Sequence, residues 1–177
     1  MWHFVQNFEN QTANVTYTDD FIELVNYLRH WNETCRLYFE FGGRIGSFGS
    51  NHVTGIDGQK AVCLDPGLVP SSDGNCLVYS FGISDDWSFD EAMEAYGCDV
   101  FAFDPSLNVK DHRRSSHIQF FAMGLGTRNA RSDPTRGGWK MATLAAMRRY
   151  FNHQNRVIDY LKLDIEGDEW KVISTFQ

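Results

Sequence analysis

The sequence has no excess of positive charge, no apolar stretch long enough to cross a bilayer and no closely paired cysteines. Sixteen Lys and Arg stand against 23 Asp and Glu, for a formal net charge of −7. A broad nucleic-acid or membrane-surface footprint needs a basic excess, so neither partner is expected of this segment. No run approaches the ~20 apolar residues of a membrane span. Residues 1–20 are polar and contain acids, unlike a secretory leader. A signal or anchor upstream of the segment is still compatible with that. No C-x-x-C occurs among Cys35, Cys63, Cys76 and Cys98, and no D-x-D, so no metal site is expected. Both G-x-x-x-x-G-K-[ST] and G-x-G-x-x-G are missing. That turns the glycine-rich stretch 42–58 from a phosphate cradle into an expected surface loop.

What is present is ordinary globular material. The 177 residues, 42% hydrophobic and 22% charged, suffice for one domain with a real core. Residues 1–34 read as a polar arm and one helix (19–31), with Phe21, Leu24, Val25 and Leu28 at helical spacing. Asn10, Asn14 and Asn32 each begin an N-x-[ST] triplet. With four cysteines that are either buried thiols or one or two disulfides, these triplets hint at a glycoprotein of an oxidising compartment.

From residue 76 the rhythm is strand, helix, strand. The run CLVYSFGI (76–83) suits a strand covered on both faces. An acidic helix is expected over 84–96, with a capping box formed by Ser88 and Glu91 and a face of Phe89, Met93 and Tyr96. Gly97 is placed to end it. DVFAFD (99–104), IQFFAM (118–123) and VIDYLKLD (157–164) read as three further strands. A polar loop precedes a helix over 141–151, with Met141, Leu144, Met147 and Phe151 inward, and another helix begins at Glu169. The alternation argues for an α/β fold with a parallel sheet and helices on both faces.

In such folds ligands bind beyond the C-terminal strand ends. Gly82 ends the first strand and allows close backbone approach, and the following helix is expected to offer free N–H groups to a carboxylate or phosphate. Asp104 ends the second strand, 22 positions later, the usual spacing for an acid that binds a ribose diol. Gly124 and Gly126 end the third, and Asp164-Ile-Glu166-Gly the fourth. If the fourth strand lies beside the first, Asp164 faces the Gly82 turn. There it contacts a ligand amine, orients an acceptor or acts as a base; alternatively it caps the next helix. A turn with one glycine is too relaxed for a dinucleotide pyrophosphate but suits S-adenosylmethionine, which has no phosphate.

Taken together, YSFGI (79–83), FDP (103–105) and YLKLDIEGDEW (160–170) resemble the methyltransferase domain of animal methyltransferase-like proteins, related to the FkbM type. VCLD (62–65), Cys76 and Met141-x-Thr143-Leu144 fit the same group, and the resemblance covers about residues 35–177. It implies a Rossmann-like class I methyltransferase fold, three-layered αβα, with strand order 3-2-1-4 in the part present and later strands beyond Gln177. It implies S-adenosylmethionine as cofactor, held by Ser80, Gly82, Ser84, Asp104, Gly124 and Asp164. Asp164 and Glu166 become the candidate catalytic acids, for methyl transfer, with oxygen preferred over nitrogen, to an unknown acceptor. Members of the group are often membrane-anchored or secretory, so a luminal or extracellular place is expected, with a cytoplasmic one as the alternative. Three rivals stand beside this reading: a catalytically silent scaffold of the same fold, a nicotinamide-type oxidoreductase and a sugar-active luminal enzyme.

Overall fold

A computed structural model describes residues 35–48, 53–71 and 74–176. The arm, the helix and the three N-x-[ST] triplets expected within residues 1–34 lie outside them. The centre is β5 (Leu77–Phe81), in which every residue is buried. Such a strand needs a partner on each edge and cover on each face. Its edges are taken by β6 (Asp99–Phe103) and β12 (Tyr160–Leu163), both parallel. Beyond β6 lies parallel β8 (Ile118–Phe121), and beyond that the short antiparallel β7 (His112–Arg113). The sheet order is therefore β12-β5-β6-β8-β7.

Alternation along the strands builds two cores. Leu77, Tyr79, Phe81, Phe101 and Phe103 point to one face, where Met147 and Val172 cover them. Those two come from α2 (Leu144–Tyr150) and α3 (Glu169–Ile173). Val78, Val100, Ala102, Ile118 and Phe120 point to the other face, under Phe89 and Met93 of α1 (Ser88–Tyr96). Tyr79 reaches through its core to His153, its hydroxyl 2.9 Å from Nδ1. Burial pushes the Tyr79 hydroxyl up to about 12.

Several boundaries differ from expectation. The glycine-rich stretch 42–58 is a ribbon. Its inner hairpin pairs β2 (Arg44–Phe48) with β3 (Val53–Asp57), and its outer arms are β1 (Tyr38–Phe41) and β4 (Lys60–Cys63). Backbone pairing of a two-stranded ribbon leaves little apolar periodicity to read. The segment 141–151 divides: Met141 belongs to β11 (Trp139–Ala142), and Thr143 caps α2 by accepting the Ala146 amide. β11 joins β9 (Gly124–Leu125) and β10 (Ala130–Asp133) in a small three-stranded sheet, so the expected polar loop is partly structured. α1 starts at Ser88, not 84, and the expected capping box is not formed. The Ser88 hydroxyl instead accepts the Gly43 amide at 2.7 Å, tying the ribbon to the helix. Gly97 does end α1, in the left-handed region.

The cysteines are two disulfides. Cys35–Cys63 closes the base of the ribbon, and Cys76–Cys98 joins the entries of β5 and β6. No described helix is long and apolar enough to cross a membrane.

Candidate functional site

β5, β6 and β12 end at one edge of the sheet, and that edge opens into a cleft of about 510 Å³. The volume lies in the roughly 300–1,000 Å³ range of small-molecule sites. Its floor is the turn after β5. Gly82 has φ 77°, and its amide donates to the Phe103 carbonyl at 2.9 Å. A Cβ there would stand 1.7 Å from the Asp164 carbonyl oxygen, so only glycine fits and the turn presses on the end of β12. The Asp164 amide in turn donates to the Phe81 carbonyl at 3.2 Å.

Asp104 is buried and braces the neighbouring turn. Its Oδ2 accepts the Ser84 amide at 2.8 Å. Its Oδ1 accepts the Ser106 amide and hydroxyl at 2.8 and 2.6 Å. A carboxylate offers about four acceptor positions, so capacity for one further donor remains. Ser84 itself sits at φ 52°. Gly124 lines the far wall with Leu125 and Met141.

Asp164 and Glu166 both line the cleft and are both exposed. The Asp164 carboxylate is 3.4 Å from Lys60 Nζ of β4, and it does not cap α3, whose N-terminal flank is Asp168. Glu166 is held at φ 58° and, among the described residues, has neither hydrogen bond nor ion pair. Asp168 lies deeper and pairs with Arg136 and Lys171. Of the candidate contacts, Gly82, Ser84, Asp104, Gly124 and Asp164 converge on the cleft, whereas Ser80 is fully buried in β5 and does not line it. The N–H groups of α1 were expected to face the Gly82 turn. The helix begins six residues later, and its first amide is taken by Asp86 Oδ1 at 2.9 Å.

The ribbon supplies the wall that sequence reading missed. Arg44 reaches Asp85 and Asp86 at 3.2 and 3.4 Å. A Cβ on Gly58 would fall 2.1 Å from Asp86 Oδ2, so the ribbon lies directly on the turn. Lys162 was also missed. It stands between two leucines in β12 and its Nζ donates to the Gly82 carbonyl at 2.6 Å. A lone lysine inside an apolar parallel strand was the available signal.

Comparison with known proteins now decides the family. A family model described as a methyltransferase domain matches residues 30–176. The chain belongs to this methyltransferase family. Among curated relatives it is similar to "Probable methyltransferase-like protein 24" of Homo sapiens, 32% identical over 122 residues, which cover 64% of this chain and 32% of the relative. The protein of the same name from Rattus norvegicus is 32% identical over 121 residues, covering 63% and 32%. The chain thus spans about a third of the length of these relatives. No solved structure matches it.

Proposed function

We propose that the cleft binds S-adenosylmethionine in the manner of a class I methyltransferase and supports methyl transfer to an oxygen acceptor. The observation that carries this is the joint placement of the Gly82 turn and the Asp104 carboxylate on one small-molecule cleft. The residues suit this cofactor. Asp104 keeps an acceptor position for a ribose hydroxyl, and the single-glycine turn leaves no crowded pyrophosphate seat. Phe81, Phe103, Leu125 and Met141 provide apolar wall.

The cofactor would supply a methyl group on a positively charged sulfur. The chain's own part is positioning, which accounts for most of the rate in a displacement of this kind. An acceptor hydroxyl must also lose its proton. Asp164 is engaged by Lys60, which favours an orienting role, and the unpaired, cleft-lining Glu166 becomes the better base. The two disulfides support an oxidising compartment for the protein.

The test is calorimetric titration of the chain with S-adenosylhomocysteine and, separately, with NAD. Micromolar binding of the first alone is expected, weakened more than about tenfold by Asp104→Ala. Binding of NAD alone would replace the reading with an oxidoreductase. Binding of neither by folded protein would leave the silent scaffold.

A further inference from the structure

Beneath the cleft floor lies a polar group that the cofactor reading does not use. Ser80 and Lys162 are register partners on β5 and β12, both on the face covered by α1. Asp90, in the first turn of α1, is fully buried beside them. Among the described residues, neither oxygen of Asp90 nor the Ser80 hydroxyl has a hydrogen-bond partner. Lys162 is buried as well, with its ammonium on the Gly82 carbonyl at 2.6 Å and the Phe81 carbonyl at 3.5 Å. An isolated buried carboxylate is costly, and its retention next to a buried ammonium calls for a reason beyond stability.

The Lys162 ammonium lines the cleft floor. Without a counterion, a fixed cation there would repel a second cation placed above it. The other charges facing it are Asp86 before α1, Asp104 after β6, Asp164 after β12 and Lys60 of β4. Of these, Asp86 is engaged by Arg44, Asp164 by Lys60 and Asp104 by the Ser84 amide and by Ser106, which leaves Asp90 as the counterion from below. We propose that Asp90 neutralises the Lys162 charge and so lets the cleft accept a cationic sulfonium donor, with Lys162 fixing the turn and Asp90 setting donor-against-product preference. The proposal rests on the cofactor reading above. Donor and product differ there by one charge, since loss of the methyl cation leaves a neutral thioether. Both are positioning residues.

The experiment measures dissociation constants of S-adenosylmethionine and S-adenosylhomocysteine for the chain and its variants at one pH near neutrality. Unfolding midpoints without ligand are recorded beside them. Asp90→Asn should weaken the donor about fivefold or more relative to the product. Lys162→Met should weaken both alike, by roughly tenfold, since an unpaired buried Asp90 takes up a proton. The double variant should return the donor-to-product ratio to the wild-type value. Asp90→Ser gives the same readout should the asparagine variant fold poorly. An unchanged ratio in a folded, ligand-binding Asp90 variant would overturn the proposal. Failure of the wild-type chain to bind either ligand would instead overturn the cofactor reading beneath it.

Discussion

At the scale of single residues, Gly82 and Asp90 show how the cleft constrains what surrounds it. Gly82 combines a left-handed backbone with a position that any side chain would drive into β12. Gly82→Ala should cost on the order of 2–3 kcal/mol in urea unfolding and should abolish ligand binding to whatever fraction remains folded. Asp90 makes a prediction of opposite sign. Burial pushes its carboxyl up to about 6, with the Lys162 charge pulling the other way. Raised in the folded state, it holds its proton more tightly there than in the unfolded chain. Its stabilising contribution is therefore complete below the ordinary carboxylate range and lost as pH rises through about 6. Asp90→Asn, which mimics the protonated form, should match the wild-type stability near pH 4. It should exceed it by about 2–3 kcal/mol near pH 8. A constant difference across that range, measured by chemical unfolding, would show that Asp90 does not titrate as described. A residue that lowers stability at neutral pH while sitting beneath the cleft fits the usual exchange of stability for function.

At the scale of elements, the central strands were legible because a strand buried on both faces has an unbroken apolar composition, as in β5 and β6. α1 was legible from Phe89 and Met93, and its end from Gly97. The ribbon β1–β4 was not. Its exposed positions, such as Ile45 and Ile56, carry no alternation, and its pairing partners are distant in sequence. β11 was misread as helix because Met141 and Leu144 stand three apart, a spacing that fits a helix turn as well as a strand followed by a capped helix. In the cleft, Gly82, Asp104, Gly124 and Asp164 were readable from strand ends, and Ser84 came from the family resemblance. Lys60, Asp90 and Lys162 were not, since each acts across elements. The ribbon's hold on the turn makes its own prediction. Arg44→Ala removes its pairs with exposed Asp85 and half-buried Asp86 and, because Arg44 itself is exposed, should change unfolding stability by less than about 1 kcal/mol. Any larger loss in ligand affinity would then report on the cleft wall.

At the scale of the whole molecule, the disulfides tie together parts the sheet alone holds loosely. Cys76–Cys98 joins two central strands at their entries, closing a sequence separation of 22 residues, and Cys35–Cys63 closes one of 28. Loops of this size give about 3 kcal/mol of stabilisation each. Replacing Cys76 and Cys98 with alanine should lower the unfolding free energy by roughly that amount, and thermal unfolding with and without the pair checks it. Cys35 is exposed while Cys76 and Cys98 are buried, so mild reduction should open the ribbon first. The family assignment, the cleft at the sheet edge and the two turns beside it are the support for the proposed cofactor. The most direct measurement is an amide NMR titration of the chain with S-adenosylhomocysteine. Saturable shifts concentrated at Gly82, Ser84, Asp104 and Gly124 are the expected result. Saturable shifts confined to another surface, or none at all from a well-folded protein, would contradict the assignment of this cleft to the cofactor.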